Sequence, residues 1–562
     1  MTSDPPSPRR PLARWALPGL VLLGLALQAS RLPFRWNQIS IGYASYFKEY
    51  RHVISVEGWT AAFSTFVGLH PPAYALIFLG MVSSAVPPIV WHTVSGLFAV
   101  ASIPVLFWAA RRNWSASLAP ALVAAAVIAV SPHRNAYGLE VNNYPLFLLT
   151  SSIQWASFAA LVMTPAEGRR ERFLTLAWAL ATAAALWSHV LAFALPLSQA
   201  IVLLVHAQGR RHLRRLLTGG VAAGLLCLPL LGGLLAGGEA NPINNPAGLQ
   251  GALKSMFLDF PGRYGSRLGA LLVGVCLLLG AVRTFQQAPR QRLLPLACLA
   301  HLLLGGSLIL FMVARGIAAA HQFPYYLALV PSAALLVGAA VAGPTRLDGK
   351  RDYGTVLATI VLIAGLTLHG LVLGTDALRG KASWNSASQD RALMALAVEE
   401  WTAGSTLILV DFPGWNDDDK DVLDPTWALV PITERVHFAH PEVPQLVTAD
   451  PYWGQPVRFG VDRWLYTFTG WPSCDCAPSI PLSELDPDGD GHIDCSHPGC
   501  TERLDAIADH VLGRGQKLIV AVYNTELAYG DFEKAETWAM RRGNLGRSAP
   551  SQALWVLTPD AR

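Results

Sequence analysis

The sequence predicts a polytopic α-helical membrane protein of about eleven spans, followed by a small extracytoplasmic α/β domain. Three observations carry this. The chain of 562 residues is 52% hydrophobic and only 14% charged, with a mean hydropathy of +0.36, too apolar for a water-soluble fold of ordinary core size. Its apolar residues come in runs long enough to cross a hydrocarbon core of roughly 30 Å, which takes about 17 to 25 helical residues. Its charges are uneven: arginines cluster in short gaps between the runs, and acidic residues concentrate after residue 385. No basic stripe with interleaved aromatics occurs, which excludes a nucleic-acid-binding class.

The first apolar run, residues 13 to 30, follows Arg9 and Arg10. A charged head before such a run can also be a cleaved export signal. Here the run is longer than a usual signal core, and "LQAS" lacks a small-x-small cleavage pattern, so it reads as an uncleaved anchor. Further spans fall at 89 to 110, 114 to 131, 144 to 163, 173 to 188, 190 to 206, 216 to 236, 267 to 283, 293 to 314, 323 to 343 and 353 to 374. The stretch from 173 to 206 is too long for one ordinarily tilted helix. "WSHV" at 187 to 190 marks its turn and makes it a hairpin.

Orientation follows from the short loops, because positive loops stay cytoplasmic. The question is whether "GLHPPAYALIFLGMVSSAVPP", residues 68 to 88, crosses the membrane. If residues 73 to 86 do not cross, the amino terminus and the loops with Arg111 and Arg112, "GRRER", "GRRHLRR", Arg283 to Arg292 and Arg346 to Arg351 all lie inside. By count that is about fifteen basic residues inside, against about five in the opposite loops. Crossing would invert every assignment. The segment is therefore expected to lie in or re-enter the outer face, which suits its apolar length of about 14 residues. Paired prolines at both ends delimit it.

With that topology the outer loop 31–88, "SPHRNAYGLEVNNYP", the tip at His189, residues 241 to 267, "ARGIAAAHQF" and everything beyond residue 375 face outward. The carboxy-terminal region, 376–562, reads as a compact α/β domain. Helical spacing at 386 to 401, a buried-strand run "STLILVDF", then "TERLDAIADHVLGRG", "QKLIVAVYN", "DFEKAETWAMRRG" and "QALWVLTP" give strand, helix, strand, helix, strand, and predict a small sheet with parallel pairing. No Gly-rich phosphate loop occurs in it.

A Cys/Asp-rich loop at 474–500 lies within this domain. In "DPDGDGHIDCSHPGC", Asp486, Asp488, Asp490 and Asp494, with Gly491 allowing a sharp turn and His492 between them, match a calcium loop whose alternating carboxylates converge on a hard cation. The twelfth position, where an EF-hand supplies a bidentate Glu, is His497. Cys474, Cys476, Cys495 and Cys500 sit within 27 residues of an exported domain, where disulfides persist. The segment resembles the calcium loops of thrombospondin type 3 repeats, which implies structural calcium beside disulfides. A solvated acidic turn and a zinc site built from these cysteines and a histidine are the alternatives. Cys227, Cys276 and Cys298 lie in spans and read as small buried hydrophobes.

Function has to reside in polar groups at the outer membrane face. His70, Glu140 and His189 each adjoin a span end. Any one alone reads as well as a hydrated interfacial group; together they mark one face.

The order "HPPAY", basic turn, "SPHRNAYGLEVNNYPLFLL", "SHVLAFALPLSQ" resembles the bacterial GT-C glycosyltransferases related to protein O-mannosyltransferases and aminoarabinose transferases, glycosyltransferase family 39 and its relatives. The likeness spans about residues 15 to 375 of a GT-C-like transmembrane domain, 1–375. It implies an inverting transfer of a hexose or pentose from a polyprenyl-phosphate-sugar to a glycan, lipid or protein acceptor, in a multi-pass protein of the bacterial inner membrane. In such a site the phosphate meets cations, for which Arg134 and Arg315 are candidates, and His70, Tyr144 and His189 line the substrate groove. A carboxylate deprotonates the acceptor as it attacks the anomeric carbon. The family pattern supplies an acidic pair upstream of HPP. This chain has "RWNQIS", with Asn37 and Gln38 there, so the base falls to Glu49, Glu57 or Glu140. A second departure is "QFPYYLALVP", with Tyr325 where relatives often carry an arginine. The alternative is a catalytically degenerate protein that binds a polyprenyl lipid or glycan and presents its soluble tail. A transporter lacks support, since the spans show no paired broken helices.

Overall fold

The computed structural model describes residues 10–30, 58, 71–74, 76–77, 88–140, 142–164, 168–231, 248–259, 265–315, 323–342, 353–378, 405–411, 457–458, 463–469, 501–523, 541, 547–549 and 552–558. The chain divides into two compact units, one built from the apolar helices and the other carrying a sheet.

The helical unit comprises α1 (Arg10–Ala29), α2 (Pro88–Asn113), α3 (Ala119–Ala129), the short α4 (Pro132–Tyr137), α5 (Asn143–Met163) and α6 (Gly168–Ser188). A 3-10 turn, Val190–Phe193, leads into α7 (Ala194–Val205) and α8 (Arg210–Leu226). Then come α9 (Gly248–Lys254), α10 (Arg267–Thr284), α11 (Leu293–Ala314), α12 (Val330–Val341) behind a 3-10 turn at Phe323–Leu329, and α13 (Tyr353–Leu378). Five of the described helices are long and apolar enough to cross a membrane, and four shorter stretches, Trp15–Ala29, Ala119–Ala129, Val190–Val205 and Tyr325–Val341, are apolar as well. Of the two remaining expected spans, 173 to 188 falls on α6 and the first half of 216 to 236 on α8, whose first turns are rich in arginine; residues 232 to 236 lie outside the described residues. Two expected spans are composite, a 3-10 turn followed by a short α-helix, because Pro324 and the capping His189 interrupt the regular ladder.

Side-chain bonds give the helix directions. At one end Gln28 of α1 donates to the Arg134 carbonyl, His92 of α2 meets the Leu139 carbonyl, and Asn143 of α5 donates to the Ser188 carbonyl. At the other end Arg112 bonds Thr164, Asn113 bonds the Gln291 carbonyl, Arg215 pairs with Glu171, and Arg283 bonds the Ala340 carbonyl and Thr355. The basic loops from Arg111 to Arg292 thus gather at one end of the bundle. The chain leaves α1 and enters α2 at the same, opposite end, as the charge argument requires. Of the segment between, the described residues 71–74 and 76–77 hold a helical bond from Leu76 N–H to the Pro72 carbonyl at 2.9 Å.

α5 is the axis of the unit. Of its spanning window 78% is buried, against 28% for α10 and for α13, whose exposed Leu271, Leu278, Ile360 and Ile363 form an outward apolar face. The helices approach through glycine, as apolar surroundings favour. A Cβ at Gly280 would lie 1.9 Å from the Leu336 carbonyl oxygen, so α10 and α12 touch backbone to backbone. Midway along α5, Gln154 and Gln199 exchange amide bonds at 2.9 and 2.8 Å while Trp178 Nε1 donates to Gln199 Oε1 at 2.8 Å. Trp178 and Gln199 lie at nearly equal sequence distances on either side of the break at His189 and are bonded to each other, so α6 and α7 form the expected hairpin.

The second unit holds a six-stranded sheet of order β2-β3-β1-β4-β6-β5. β1 (Ser405–Asp411) runs parallel to β3 (Arg463–Thr469) and to β4 (Lys517–Tyr523). The margins are antiparallel: β2 (Val457–Arg458) on β3, β6 (Gln552–Leu557) on β4, and β5 (Arg547–Ala549) on β6. The parallel pairing expected from sequence is present in the central strands, and the final strand β6 departs from it by pairing antiparallel with β4. The helix α14 (Thr501–Gly513) ends in a left-handed Gly515 at φ +72°, with Gln516 N–H on the Val511 carbonyl and Gly515 N–H on that of Leu512, a Schellman cap. The expected helices at 386 to 401 and 531 to 543 fall outside the described residues, apart from residue 541.

Candidate functional site

Four stretches far apart in sequence meet where α5 begins. Ser131 accepts the Arg134 N–H at 3.3 Å and Pro132 occupies the first turn, so "SPHRNAY" starts and quickly ends α4. The chain then reaches Glu140 and Asn142. Asn142 caps α5, its Oδ1 accepting the Tyr144 N–H at 2.9 Å, and its Nδ2 donates to Glu140 Oε2. One asparagine therefore both starts the helix and holds the carboxylate. Glu140 has no exposed surface.

The proline-rich segment contributes Tyr74, 1% exposed, whose hydroxyl lies 2.8 Å from Ser95 Oγ and also contacts the Asn142 backbone. Burial pushes its phenol well above the usual range; the bond to Ser95 opposes that rise and the charge of Glu140 adds to it. The Leu139 carbonyl can only accept, so His92 Nδ1, 2.7 Å away, carries a proton.

The hairpin tip and the "FPYYLAL" turn close the other side. His189 adopts an extended conformation, and its Nδ1 accepts the Leu191 N–H at 3.1 Å, which starts the 3-10 turn and places the ring proton on Nε2. The ring stacks on Phe147 with centroids 4.9 Å apart. Tyr144, His189 and Tyr325 form a triangle with centroid separations of 5.7, 6.0 and 6.3 Å, and the two tyrosine hydroxyls are hydrogen-bonded.

Among the residues singled out by sequence, Glu140, Tyr144 and His189 are thus brought to one place. Arg134 is fully buried beside them, and its Nη2 donates to the Ala129 carbonyl at 2.9 Å and to Asn135 Oδ1 at 2.8 Å, tying α3 to α4. Arg315 is exposed at the end of α11. Glu49, Glu57 and His70 lie outside the described residues, as do Asp486, Asp488, Asp490, His492, Asp494, Cys474, Cys476, Cys495 and Cys500. Cys227, Cys276 and Cys298 are free thiols, the last two buried. Among the described residues no group of three His, Cys, Asp or Glu could hold a metal ion. Tyr74, Ser95 and Asn142 were not singled out as site residues from sequence. Only Asn142 carried a local signal, an N-cap residue just ahead of "NYP".

Chemically, a buried carboxylate costs several kcal/mol unless it is bonded, and here it accepts from the Asn142 amide with the Tyr74 phenol nearby. It can take a proton; the rings offer flat apolar faces for a sugar or a lipid.

No protein-family profile and no curated protein matches the chain. In shape it is similar to the crystal structure of ArnT from Cupriavidus metallidurans in the apo state, with a TM-score of 0.48 and 13% identity over 98% of this chain and 99% of that one. It is likewise similar to that of ArnT from the same organism bound to undecaprenyl phosphate, with a TM-score of 0.49 and 11% identity over 98% of each chain.

Proposed function

We propose that this protein is a membrane glycosyltransferase that moves a sugar from a polyprenyl-phosphate donor to an acceptor at the extracytoplasmic face, with Glu140 as the general base. One observation carries the reading: parts of the stretches whose order resembles the GT-C transferases, Tyr74 of "HPPAY", Glu140 to Tyr144 of "SPHRNAYGLEVNNYP" and His189 of "SHVL", meet at the start of α5, where Tyr74 and Asn142 adjoin Glu140 and His189 adjoins Tyr144. In this reading the acceptor hydroxyl or amine loses its proton to Glu140 as its heteroatom bonds to the anomeric carbon. The bond from that carbon to the donor phosphate breaks, and the polyprenyl phosphate leaves with the electron pair. Asn142 aims the carboxylate, and the Tyr144, His189 and Tyr325 rings wall the sugar. Arg315, at an exposed helix end, is the cation proposed to meet the phosphate.

The test is Glu140→Gln in membranes given a panel of polyprenyl-phosphate sugars. Loss of transfer by about 100-fold or more supports a base; transfer at the wild-type rate sinks the assignment. A second reading, a binding protein without catalysis, is favoured by Asn37 and Gln38 in place of the acidic pair and by Arg134 turned to internal bonds. It predicts binding of polyprenyl phosphate with no transfer from any donor.

A further inference from the structure

At the opposite end of the bundle a second cluster plays no part in the proposed reaction. Arg112 ends α2, Arg211 and Arg215 begin α8, and Arg290 lies in the turn between α10 and α11. They meet at the last turn of α5 and around His212, which is 2% exposed. Part of the arrangement is structural. Arg290 Nε donates to the Val162 carbonyl at 2.9 Å, Arg215 Nη1 reaches the Leu161 carbonyl at 3.5 Å, and Arg112 Nη2 donates to Thr164 Oγ1 at 2.5 Å, so three guanidiniums close the carboxy-terminal end of α5.

Two features exceed that role. The first is charge: among the described residues the carboxylate paired with the four arginines is Glu171, on Arg215 at 2.7 Å. Burial, then the charges of Arg211, Arg215 and Arg112, pull Arg290 below the usual guanidinium range. The second is a conflict of donors at His212. Arg211 Nε donates to its Nε2 at 3.1 Å, which leaves the proton on Nδ1, and Nδ1 faces Arg215 Nη1 at 3.1 Å. In either tautomer one N–H confronts another, since guanidinium has no acceptor. A phosphate oxygen, accepting several charge-assisted bonds at once, offsets the charge and gives a guanidinium an acceptor to turn to in place of the His212 N–H.

Position selects the carrier of that phosphate. Along α5, Val162 lies about 27 Å from Tyr144 at 1.5 Å per residue, close to the roughly 30 Å of a hydrocarbon core. The cluster therefore sits at headgroup depth, and the adjoining surface, with Phe173, Leu217 and Val221 exposed, is apolar as acyl chains require. We propose that Arg112, Arg211, Arg215 and Arg290 form a binding site for the phosphate of an anionic glycerophospholipid headgroup at the membrane face opposite the Glu140 site.

The full-length protein in neutral detergent is titrated calorimetrically with short-chain phosphatidylglycerol, with phosphatidylcholine of the same chain length, and with inorganic phosphate. Phosphatidylglycerol is expected to bind saturably and at least about tenfold more tightly than either control, because the site reads both charge and chains. Arg211→Gln, an exposed residue whose described side-chain bond is to His212, weakens it about fivefold. Glu171→Gln, which frees Arg215, tightens it, a gain that damaged folding cannot imitate. Equal affinity for the two lipids, or unchanged binding in both variants, overturns the proposal. Inorganic phosphate binding as tightly as phosphatidylglycerol overturns the lipid assignment.

Discussion

At one end of α5 the carboxylate of Glu140 is held by Asn142 and adjoins Tyr74, beside a triangle of rings on the helix start; at the other, Arg211, Arg215 and Arg290 crowd about His212 with Arg112 next to them, and Glu171 is the carboxylate paired there among the described residues. The first end is assembled by short-range capping. Ser131, Asn142 and His189 each stop one element and start another within a few residues, which fixes side chains near the chemistry to rigid backbone. The second is assembled by long flexible side chains reaching for helix carbonyls, and what it fixes is charge. Precision of placement at one end and sign of potential at the other suit a reacting group and a headgroup respectively.

Several substitutions break this contrast or sharpen it. The largest effect is expected from Glu140→Gln, with transfer down about 100-fold at unchanged expression; the same loss without change in polyprenyl phosphate binding separates base from ligand contact. Next comes Gln199→Leu, midway between the ends. It strands the Gln154 amide and the Trp178 N–H and lowers stability by about 1 to 3 kcal/mol, read from thermal melts in detergent. A Gln154→Leu/Gln199→Leu double variant recovers part of that loss, since neither amide is then orphaned.

His189→Ala removes a cap and is expected to cost about 1 kcal/mol. His189→Asn keeps an acceptor for the Leu191 N–H and restores the melting temperature, while transfer falls with both if the ring walls the sugar. The smallest effect is at the basic end. Burial, then Arg215, Arg211 and Arg290, hold His212 down at about 4 against an ordinary 6.5. Between those values the unfolded chain binds the proton and the folded one does not, so stability is full above pH 6.5 and falls as pH drops toward 4. His212→Gln flattens the melting temperature across that window.

Much of the scaffold was legible in sequence. Apolar runs gave the helices, "WSHV" gave the hairpin, and arginine spacing gave the gathering of the basic loops, because each of these is a local or additive property. The composite spans were not, since a 3-10 start depends on a single cap such as His189. The strand "RWLYTFT" at 463 to 469 was overlooked although its aromatic and β-branched residues are a strand signal. At the candidate site Glu140 and His189 stood out in sequence because they adjoin span ends, and Tyr144 through the family resemblance. Tyr74 acquires its role only by reaching Asn142 and Ser95 across the fold. The direction taken by the Arg134 side chain, toward Ala129 and Asn135, was equally hidden, because a long side chain folds toward whichever carbonyls its neighbours leave open.

The amide pair in the middle of the bundle has a consequence for how the protein is made. Gln154 lies about 15 Å along α5 from Tyr144 at 1.5 Å per residue, in surroundings where water offers no substitute partner. If α7 slid by one turn, about 5.4 Å, both amides and the Trp178 N–H would lose their partners inside the bundle, at several kcal/mol for each group left bare. Insertion is thereby expected to favour the one hairpin register in which these bonds close, the register that also sets His189 against Tyr144 and Phe147.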